Sequence, residues 1–336
     1  MRITHACGVT HDKGGTMRRL CVLTFVLLSL TIIGAANAQT IGIMTTPPGS
    51  FVHSAGAAIG KVIVEKASLK ATVQPTATRP FGAIDSGLAE FSISNTFDLM
   101  LATLGAEEYK EQGPKPNLRL AATLMPMVNA LFVRKDSPIK SLKDLKGKRI
   151  ASGFYAQKAL VRAIESRLAN AGLTYDDVMQ VPAANIARAA EDFSNGKTDA
   201  MFFALGTAGV KEVSTKVGGL RVLPVDDSAE AIARMHKINP TEYAMEVKPG
   251  PNMEGITEPT KVVALDNVLF THIKADSDVI YKVVKALYEN KPDLVASFPP
   301  FRDFTLNRIA TQVPNVDFHP GAMKFYGEVN LWPPKR

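Results

Sequence analysis

The stretch GIMTTPPGSFVHSAGAAIGKVIVEKA, residues 42–67, decides the fold. Its first residues are apolar and predict a strand, whereas its small and apolar residues at 52–67 recur at helical spacing and predict a helix. The six residues between them, TTPPGS, are turn formers, and three of them carry hydroxyl groups. A turn from a strand into a helix presents unpaired backbone N–H groups at the positive end of the helix dipole. The turn is therefore predicted to bind a ligand, and an anion in particular.

Strands and helices alternate along the rest of the chain. The sequence predicts two strands at 118–125 and 129–136, a buried strand at 198–205, a long apolar strand at 260–273 and a helix pair over 277–298. Strand–helix–strand repetition with short connections predicts an α/β fold of mostly parallel sheets flanked by helices. Because ligands bind beyond the carboxyl ends of such strands, the strand-to-helix turns are the predicted functional regions.

The length of the chain, 336 residues, favours two lobes over one core. Long predicted strands near 128–134 and 262–273 join two α/β units and are the predicted hinge. The sequence therefore predicts a first lobe formed by residues 39–131 plus 262–336 and a second lobe formed by residues 132–261, with a cleft between them.

The first 38 residues predict a cleaved export signal. Arg18 and Arg19, which follow Met17, precede an apolar run at 20–35, and Ala-Asn-Ala at 36–38 has the small-x-small pattern of a cleavage site. The alternative, a membrane anchor, usually needs a longer apolar run. Residues 1–16 are part of this leader or lie upstream of the true translation start.

Composition argues against several classes of protein. The formal net charge is +7, but the one basic block of the mature chain, at 140–149, is interleaved with aspartates, so we expect no nucleic-acid partner. The only cysteines, Cys7 and Cys21, lie in the predicted leader, so the mature chain is predicted to have no disulfide and no thiolate metal ligand.

Catalytic and metal-binding motifs are not recognisable in the sequence. The mature histidines, His53, His236, His272 and His319, have no metal-binding spacing, and no nucleophile elbow or phosphate-binding loop occurs. Asp199, at the start of the predicted strand at 198–205, is interpreted as a turn residue. We therefore predict no metal, no cofactor and no catalysis, although an exported α/β enzyme whose site is assembled only in space stays an alternative.

Four segments carry a family resemblance: SPIKSLKDLKGKRIASG at 137–153, AGLTYDDV at 171–178, NGKTDAMFFALGTAG at 195–209 and IYKVVKALYENKPDL at 280–294. With them the chain resembles the TAXI family, the solute-binding subunits of tripartite ATP-independent periplasmic (TRAP) transporters. The resemblance covers nearly all of residues 40–330. It implies a two-lobed periplasmic-binding-protein-like fold, a periplasmic location after cleavage near Ala38, and membrane subunits of a TRAP transporter as partners.

The turns that face the ligand in this family differ in the present chain. The family's glycine-rich first turn corresponds to MTTPPGSF at 44–51, its second to VQPTA at 73–77, its third to 95–97, where the acid is displaced to Asp98 or lost, and its lobe-two turn to 154–159. We therefore expect a TAXI-like scaffold with a different solute site, in which aromatic residues replace backbone donors.

The predicted site combines hydroxyls, amides, aromatic rings and one arginine, whose guanidinium matches a carboxylate. The predicted ligand-binding residues are Thr45, Thr46, Ser50, Phe51, Gln74, Thr76, Arg79, Asn95, Thr96, Phe97, Tyr155, Gln157, Phe203, Gly206 and Thr207. Other interpretations stay open at this point. Thr46 and Ser50 could only cap the helix, Asn95 and Gln157 could cap local turns, Arg79 could be a solvated surface residue, and the aromatic residues could be core.

These features predict a monomeric binding protein that closes over a small organic anion. The solute is a carboxylate, with an apolar or aromatic body, or an amino acid such as glutamate. Delivery to an ion-gradient-driven transporter is the function that the resemblance implies, and presentation of the closed form to a membrane receptor is the alternative.

Overall fold

The computed structural model describes residues 40–48, 50–155 and 159–333. The predicted export signal lies outside these residues. Within them, no helix has the length and apolar character needed to cross a membrane.

The first third of the chain forms a parallel sheet in the order β2-β1-β3, covered by helices. Its elements are β1 (Thr40–Thr45), α1 (Phe51–Lys66), β2 (Lys70–Pro75), α2 (Phe81–Asp85), β3 (Phe91–Asn95) and α3 (Thr96–Leu104). The strand-to-helix turn predicted around 45–50 is therefore present, and the carboxyl ends of β1 and β3 lie at the same edge of the sheet.

Two long strands, β4 (Leu118–Arg134) and β10 (Thr260–His272), pair antiparallel and join both halves of the molecule. The prediction of separate strands at 118–125 and 129–136 was wrong, because β4 continues through Pro126. This proline lies opposite Asp266, where the register with β10 shifts, and prolines are tolerated at such irregularities.

The middle of the chain forms a second α/β region. Its elements are β5 (Arg149–Gly153), α4 (Ala159–Asn170), β6 (Met179–Ala183), α5 (Ile186–Ser194), β7 (Met201–Ala204), α6 (Ala208–Val217), β8 (Leu220–Val222), α7 (Ala229–His236) and β9 (Tyr243–Val247). Strands β5 and β6 are parallel, whereas β7 and β8 pair antiparallel with β4, and β9 pairs antiparallel with β10. The eight-stranded sheet is thus mixed: it is parallel over β2-β1-β3 and antiparallel around β10 and β4, whereas the two-stranded sheet β5-β6 is parallel.

The last third of the chain returns to the first region as α8 (Ser277–Glu289), α9 (Lys291–Ser297) and α10 (Pro320–Glu328). The predicted helix pair is present, and its second helix carries Pro292 in its first turn, where a proline is tolerated. The sequence analysis assigned no structure to β9 or α10.

Apolar packing divides the described residues into two regions. One buried cluster draws on residues 41–125 and 265–326, and two smaller clusters draw on residues 130–263. We call the region around the first cluster lobe 1 and the region around the other two lobe 2. The chain crosses from one to the other twice, in β4 and in β10.

Candidate functional site

A cavity of about 180 Å³ lies at the carboxyl ends of β1 and β3, beside the middle of β4 and β10. We call it the strand-end cavity. It is lined by Thr46, Phe51, Val52, Arg79, Pro80, Phe81, Ile93, Ser94, Asn95, Met127, Asn267 and Phe270. Four of the predicted ligand-binding residues, Thr46, Phe51, Arg79 and Asn95, are therefore brought together here.

The first turn is held by hydroxyl groups. Ser50 is the N-cap of α1 and accepts a hydrogen bond from the backbone N–H of His53 at 3.2 Å, as expected for an N-cap serine. The hydroxyls of Thr46 and Ser50 lie 2.7 Å apart, and the fully buried Thr45 places its Oγ1 3.0 Å from His53 Nδ1. Ser50 and Thr45 thus shape the turn, and Thr46 is the hydroxyl residue of this turn that lines the cavity.

Arg79 forms an ion pair with Asp98 at the cavity. Asn95, the N-cap of α3, accepts a hydrogen bond from the backbone N–H of Asp98 at 2.8 Å and donates its side-chain N–H to Asp98 Oδ2 at 2.7 Å. The Asp98 side chain is 3% exposed and the Arg79 side chain 48% exposed. The carboxylate is therefore fixed at the helix N-terminus, while the guanidinium keeps half of its surface accessible.

The remaining walls of the cavity are largely apolar. Phe51 packs edge-on against Phe298 with ring centroids 5.2 Å apart, and Phe81 stacks on Phe270 at 5.3 Å. Met127, from β4, completes this surface. These contacts fix the rings, so the cavity offers a solute a pre-formed apolar wall.

Two polar lining residues escaped the sequence analysis. Asn267 lies in β10 at the register shift and donates to the carbonyl oxygen of Met125 at 3.2 Å. Ser94 lies near the end of β3, and its buried Oγ has no hydrogen-bond partner among the described residues. Asn267 could have been predicted from the sequence, because the pair Asp266-Asn267 interrupts an otherwise apolar strand. Polar residues in a buried strand are uncommon and often have a specific role.

Six predicted residues of lobe 1 lie outside the cavity lining. Two of them shape the first turn: Thr45 is buried beneath it and Ser50 caps α1. Gln74 is exposed and donates to Thr72 Oγ1 at 3.3 Å, and the hydroxyl of Thr76 donates to the carbonyl oxygens of Thr45 at 3.0 Å and Thr78 at 2.7 Å. Thr96 and Phe97 are buried in the first turn of α3.

Comparison with known proteins identifies the family. The family model for the NMT1-like family matches residues 43–329, most of the chain. The chain belongs to the NMT1-like family.

Solved structures show which fold this NMT1-like protein has. It is similar to a TctC solute binding protein from Polaromonas, with 15% identity, a TM-score of 0.54, and coverage of 80% of this chain and 91% of that one. It is also similar to the periplasmic sulfonate-binding protein SsuA from Methylobacillus flagellatus, with 16% identity, a TM-score of 0.49, and coverage of 88% and 96%. The likeness to the TctC protein confirms the predicted α/β fold of a two-lobed periplasmic binding protein.

Lobe 2 of the NMT1-like protein contributes predicted residues at the ends of β5 and β7. Tyr155 is 73% exposed and follows Gly153 and Phe154, which both have positive φ angles, of 80° and 38°. Phe154 itself is buried, so the strained turn points Tyr155 outward. Gln157 lies outside the described residues.

The turn after β7 carries Phe203, Gly206 and Thr207. Phe203 is half-buried, and its ring lies against Gly209, where an added Cβ would come within 2.9 Å of it. Gly206 has a φ of 80°, and the hydroxyl of Thr207 donates to the carbonyl oxygen of Ala204 at 2.9 Å. Of the predicted lobe 2 residues that the structure describes, none lines the strand-end cavity.

Among the described residues, two groups of polar side-chain contacts connect the lobes. Arg162 on α4 lies 3.1 Å from the carboxylate of Glu107 in lobe 1. Near the crossing strands, Arg308 of lobe 1 contacts Asp266 and the hydroxyl of Tyr243, each at 2.7 Å. Burial raises the pKa of Asp266, and the positive charge of Arg308 opposes this shift.

A second arginine–carboxylate pair is sealed in lobe 2. Arg167 on α4 binds Glu242, and each side chain is only 1% exposed. Ser166 also donates to Glu242, and the Arg167 guanidinium lies over the ring of Phe202 at 5.2 Å. This pair joins α4 to the segment before β9, and no solute can reach it.

A larger cavity of about 390 Å³ lies at the opposite ends of β5 and β7 and includes Asp199. Asp199 accepts hydrogen bonds from the backbone N–H of Arg149 at 2.8 Å and from its guanidinium at 2.5 Å. The carboxylate thus ties two strand starts together, in line with its interpretation as a structural turn residue. Among the described residues, no group of histidine, cysteine, aspartate or glutamate side chains is arranged to hold a metal ion.

Proposed function

We propose that this NMT1-like protein is a periplasmic solute-binding protein that captures a small organic anion. The observation that carries the proposal is the half-exposed guanidinium of Arg79 in a cavity that is otherwise neutral and largely apolar. A guanidinium can bind a carboxylate through two parallel hydrogen bonds. The aromatic and aliphatic walls suit a carboxylate with an apolar or aromatic body better than they suit glutamate.

The size of the cavity points to a small solute. Its volume of about 180 Å³ is below the roughly 300–1,000 Å³ typical of sites for drug-sized ligands. A solute of this size would be held mainly by lobe 1 and the crossing strands before the lobes close.

Closure of the lobes would complete the site. We place the lobe boundaries at 131–132 and 261–262 and the hinge in β4 and β10. Tyr155, Phe203 and Thr207 follow strand ends of lobe 2, and with Gln157 they are the groups expected to reach the solute in the closed form. Contacts made only by the closed form would shift the population towards it.

Delivery to a membrane partner is the proposed role of the closed form. The resemblance to the TAXI family supports membrane subunits of a TRAP transporter as that partner and an exported, periplasmic location. No chemical change of the solute is part of this proposal.

A thermal-shift screen of small monocarboxylates, amino acids and dicarboxylates tests the binding role. A ligand at a hundredfold excess over its Kd stabilises the native state by about 2.7 kcal/mol, which is readily seen as a raised Tm. If no organic acid in a broad panel raises the Tm, the proposed solute class is wrong.

A pair of variants tests the site. Arg79→Ala should abolish or strongly weaken binding of a carboxylate found in the screen. Arg302→Ala is the matched control, because Arg302 is exposed and has no polar contact among the described residues. Equal affinity of both variants and the wild type would remove Arg79 from the site.

Reconstitution tests the transport role. Uptake of the identified solute into vesicles that contain the membrane subunits should require both this protein and an ion gradient. Binding without support of uptake, combined with solute-dependent binding to a membrane receptor, would favour the sensing role instead.

A further inference from the structure

The charges around the strand-end cavity limit the kind of anion it can take. Of the described residues that line the cavity, only Arg79 is charged. Its charge is already balanced by Asp98, which lies just behind the lining and is almost fully buried. The cavity and the carboxylate behind it therefore have a net charge of zero before any solute enters.

Asp98 cannot leave this position easily. Its backbone N–H and one carboxylate oxygen are both held by the side chain of Asn95, and it lies in the first turn of α3, where the helix dipole favours a negative charge. Asp98 therefore stays beside the guanidinium when a solute binds.

Arg79 nevertheless has capacity for one carboxylate. The contact with Asp98 is made by Nη1, and the guanidinium has no other hydrogen-bond partner among the described residues. An arginine side chain carries five N–H donors, so the remaining donors are sufficient for one bidentate carboxylate.

A second carboxylate on the solute would find no positively charged partner in this cavity. The other lining residues are aromatic, aliphatic or neutral polar, and Asn95 and Asn267 each already use one side-chain N–H, on Asp98 and on Met125. Neutral donors such as the Ser94 hydroxyl compensate a buried carboxylate less well than a cation does, and Asp98 adds repulsion.

We propose that the strand-end cavity selects monocarboxylates with an apolar body over dicarboxylates, and that Asp98 determines this selectivity. This inference rests on the proposed function, because it refines the solute class of the same site. Arg79 binds the acid, whereas Asp98 cancels the positive charge that would otherwise accept a second one.

Calorimetric titration at pH 7 with hexanoate and adipate tests the inference, because the two acids have the same chain length and differ by one carboxylate. We expect the wild type to bind hexanoate at least about tenfold more tightly than adipate. In Asp98→Asn the ratio should fall by about tenfold, since the cavity gains a net positive charge. Asp98→Glu, which keeps the charge, should preserve the selectivity of the wild type.

A second variant keeps the test independent of how Asp98→Asn folds. Thr46→Asp adds a negative charge to the cavity lining, at a half-buried position in the turn before α1. It should weaken binding of both acids, and of adipate more than hexanoate. Circular dichroism and the unfolding midpoint of each variant verify that the fold is retained.

The outcomes separate this inference from the proposed function. If adipate binds the wild type as tightly as hexanoate, or if the ratio is the same in Asp98→Asn, the selectivity proposal is overturned and anion binding still stands. If neither these two acids nor any acid of the screen binds, the proposed function itself fails, and the inference with it.

Discussion

Arg79–Asp98 and Arg167–Glu242 are the same chemical pair in two different settings. In the first the carboxylate is buried and half of the arginine is exposed, whereas in the second both side chains are sealed. An exposed guanidinium can take a further partner at little cost, but a sealed one can only hold its neighbours together. Accessibility, rather than the presence of an ion pair, therefore marks the residue that can bind a solute.

The largest effect on stability is expected from breaking the sealed Arg167–Glu242 pair. Glu242→Gln should lower the free energy of unfolding by about 3–5 kcal/mol, because it leaves the buried charge of Arg167 without a counter-ion. Urea denaturation measures the change. The double variant Arg167→Met/Glu242→Met should recover much of the lost free energy of unfolding, because it removes both buried charges. If Glu242→Gln lowers the free energy of unfolding by less than about 1 kcal/mol, the pair does not have the structural role assigned to it.

Breaking the accessible Arg79–Asp98 pair should affect solute binding more than stability, the reverse of what is expected for Glu242→Gln. Arg79→Ala should raise the Kd for hexanoate roughly 10- to 150-fold, the effect of losing a charged hydrogen bond of about 1.5–3 kcal/mol. Its effect on the free energy of unfolding should be smaller than that of Glu242→Gln, since Asn95 still holds Asp98. Titration and urea denaturation of the same preparations measure both. A loss of stability as large as that of Glu242→Gln would remove the distinction between the pairs.

Replacing Asn95, the N-cap residue of α3 beside the Arg79–Asp98 pair, should have a smaller effect on stability. Asn95→Ala should cost about 1 kcal/mol of stability through loss of the N-cap, and it should also weaken hexanoate binding because Asp98 no longer fixes Arg79. Ser228→Ala is the matched control, since Ser228 caps α7 in lobe 2. Ser228→Ala should lower the stability by a similar amount and leave the Kd for hexanoate unchanged. Equal Kd values for Asn95→Ala and Ser228→Ala would contradict the prediction.

A third pair, Arg149–Asp199, is partly exposed on both sides, with side chains 42% and 25% exposed, and gives the smallest effect. Burial raises the pKa of Asp199, but hydrogen bonds from the Arg149 side chain and backbone outweigh it and hold the pKa below its ordinary value. The stabilisation is therefore present above the ordinary pKa of aspartate, about 4, and is lost as the pH falls through the lower folded-state pKa.

The corresponding test compares Tm values at neutral and acid pH. Asp199→Asn should lower the Tm at pH 7 by an amount worth under about 1 kcal/mol, because the pair is partly exposed, and the difference should shrink towards pH 2. A difference that grows on acidification would have the wrong sign for a lowered pKa.

The sequence was sufficient to predict four of the residues that line the strand-end cavity, because they depend on local patterns. Thr46, Phe51, Arg79 and Asn95 each stand at a strand-to-helix turn, and such turns meet at one edge of a parallel sheet. The alternation that predicts those turns is set by periodicity within a few residues, so it can be recognised without knowledge of the tertiary structure.

Other parts of the site depend on contacts between distant segments. Asn267 and Met127 reach the cavity only because β10 and β4 pair beside β3. The polar pair Asp266-Asn267 marks an unusual position in β10, but no local pattern predicts which strands become neighbours. The continuity of β4 was missed for a related reason: Pro126 interrupts the local pattern, and only the register shift in β10 accommodates it. The balance of charge between Arg79 and Asp98 likewise requires two separate turns to meet in space.

The double crossing of the chain through β4 and β10 also affects the order in which the molecule can be completed during synthesis. Lobe 2 is built from one continuous segment, so all of its core is present once residue 263 has been made. Lobe 1 can be completed only after the last quarter of the chain has been made. Until then β3 and β4 each lack their partner strand β10. During that interval the nascent protein exposes two unpaired strand edges, the kind of surface on which chains associate wrongly.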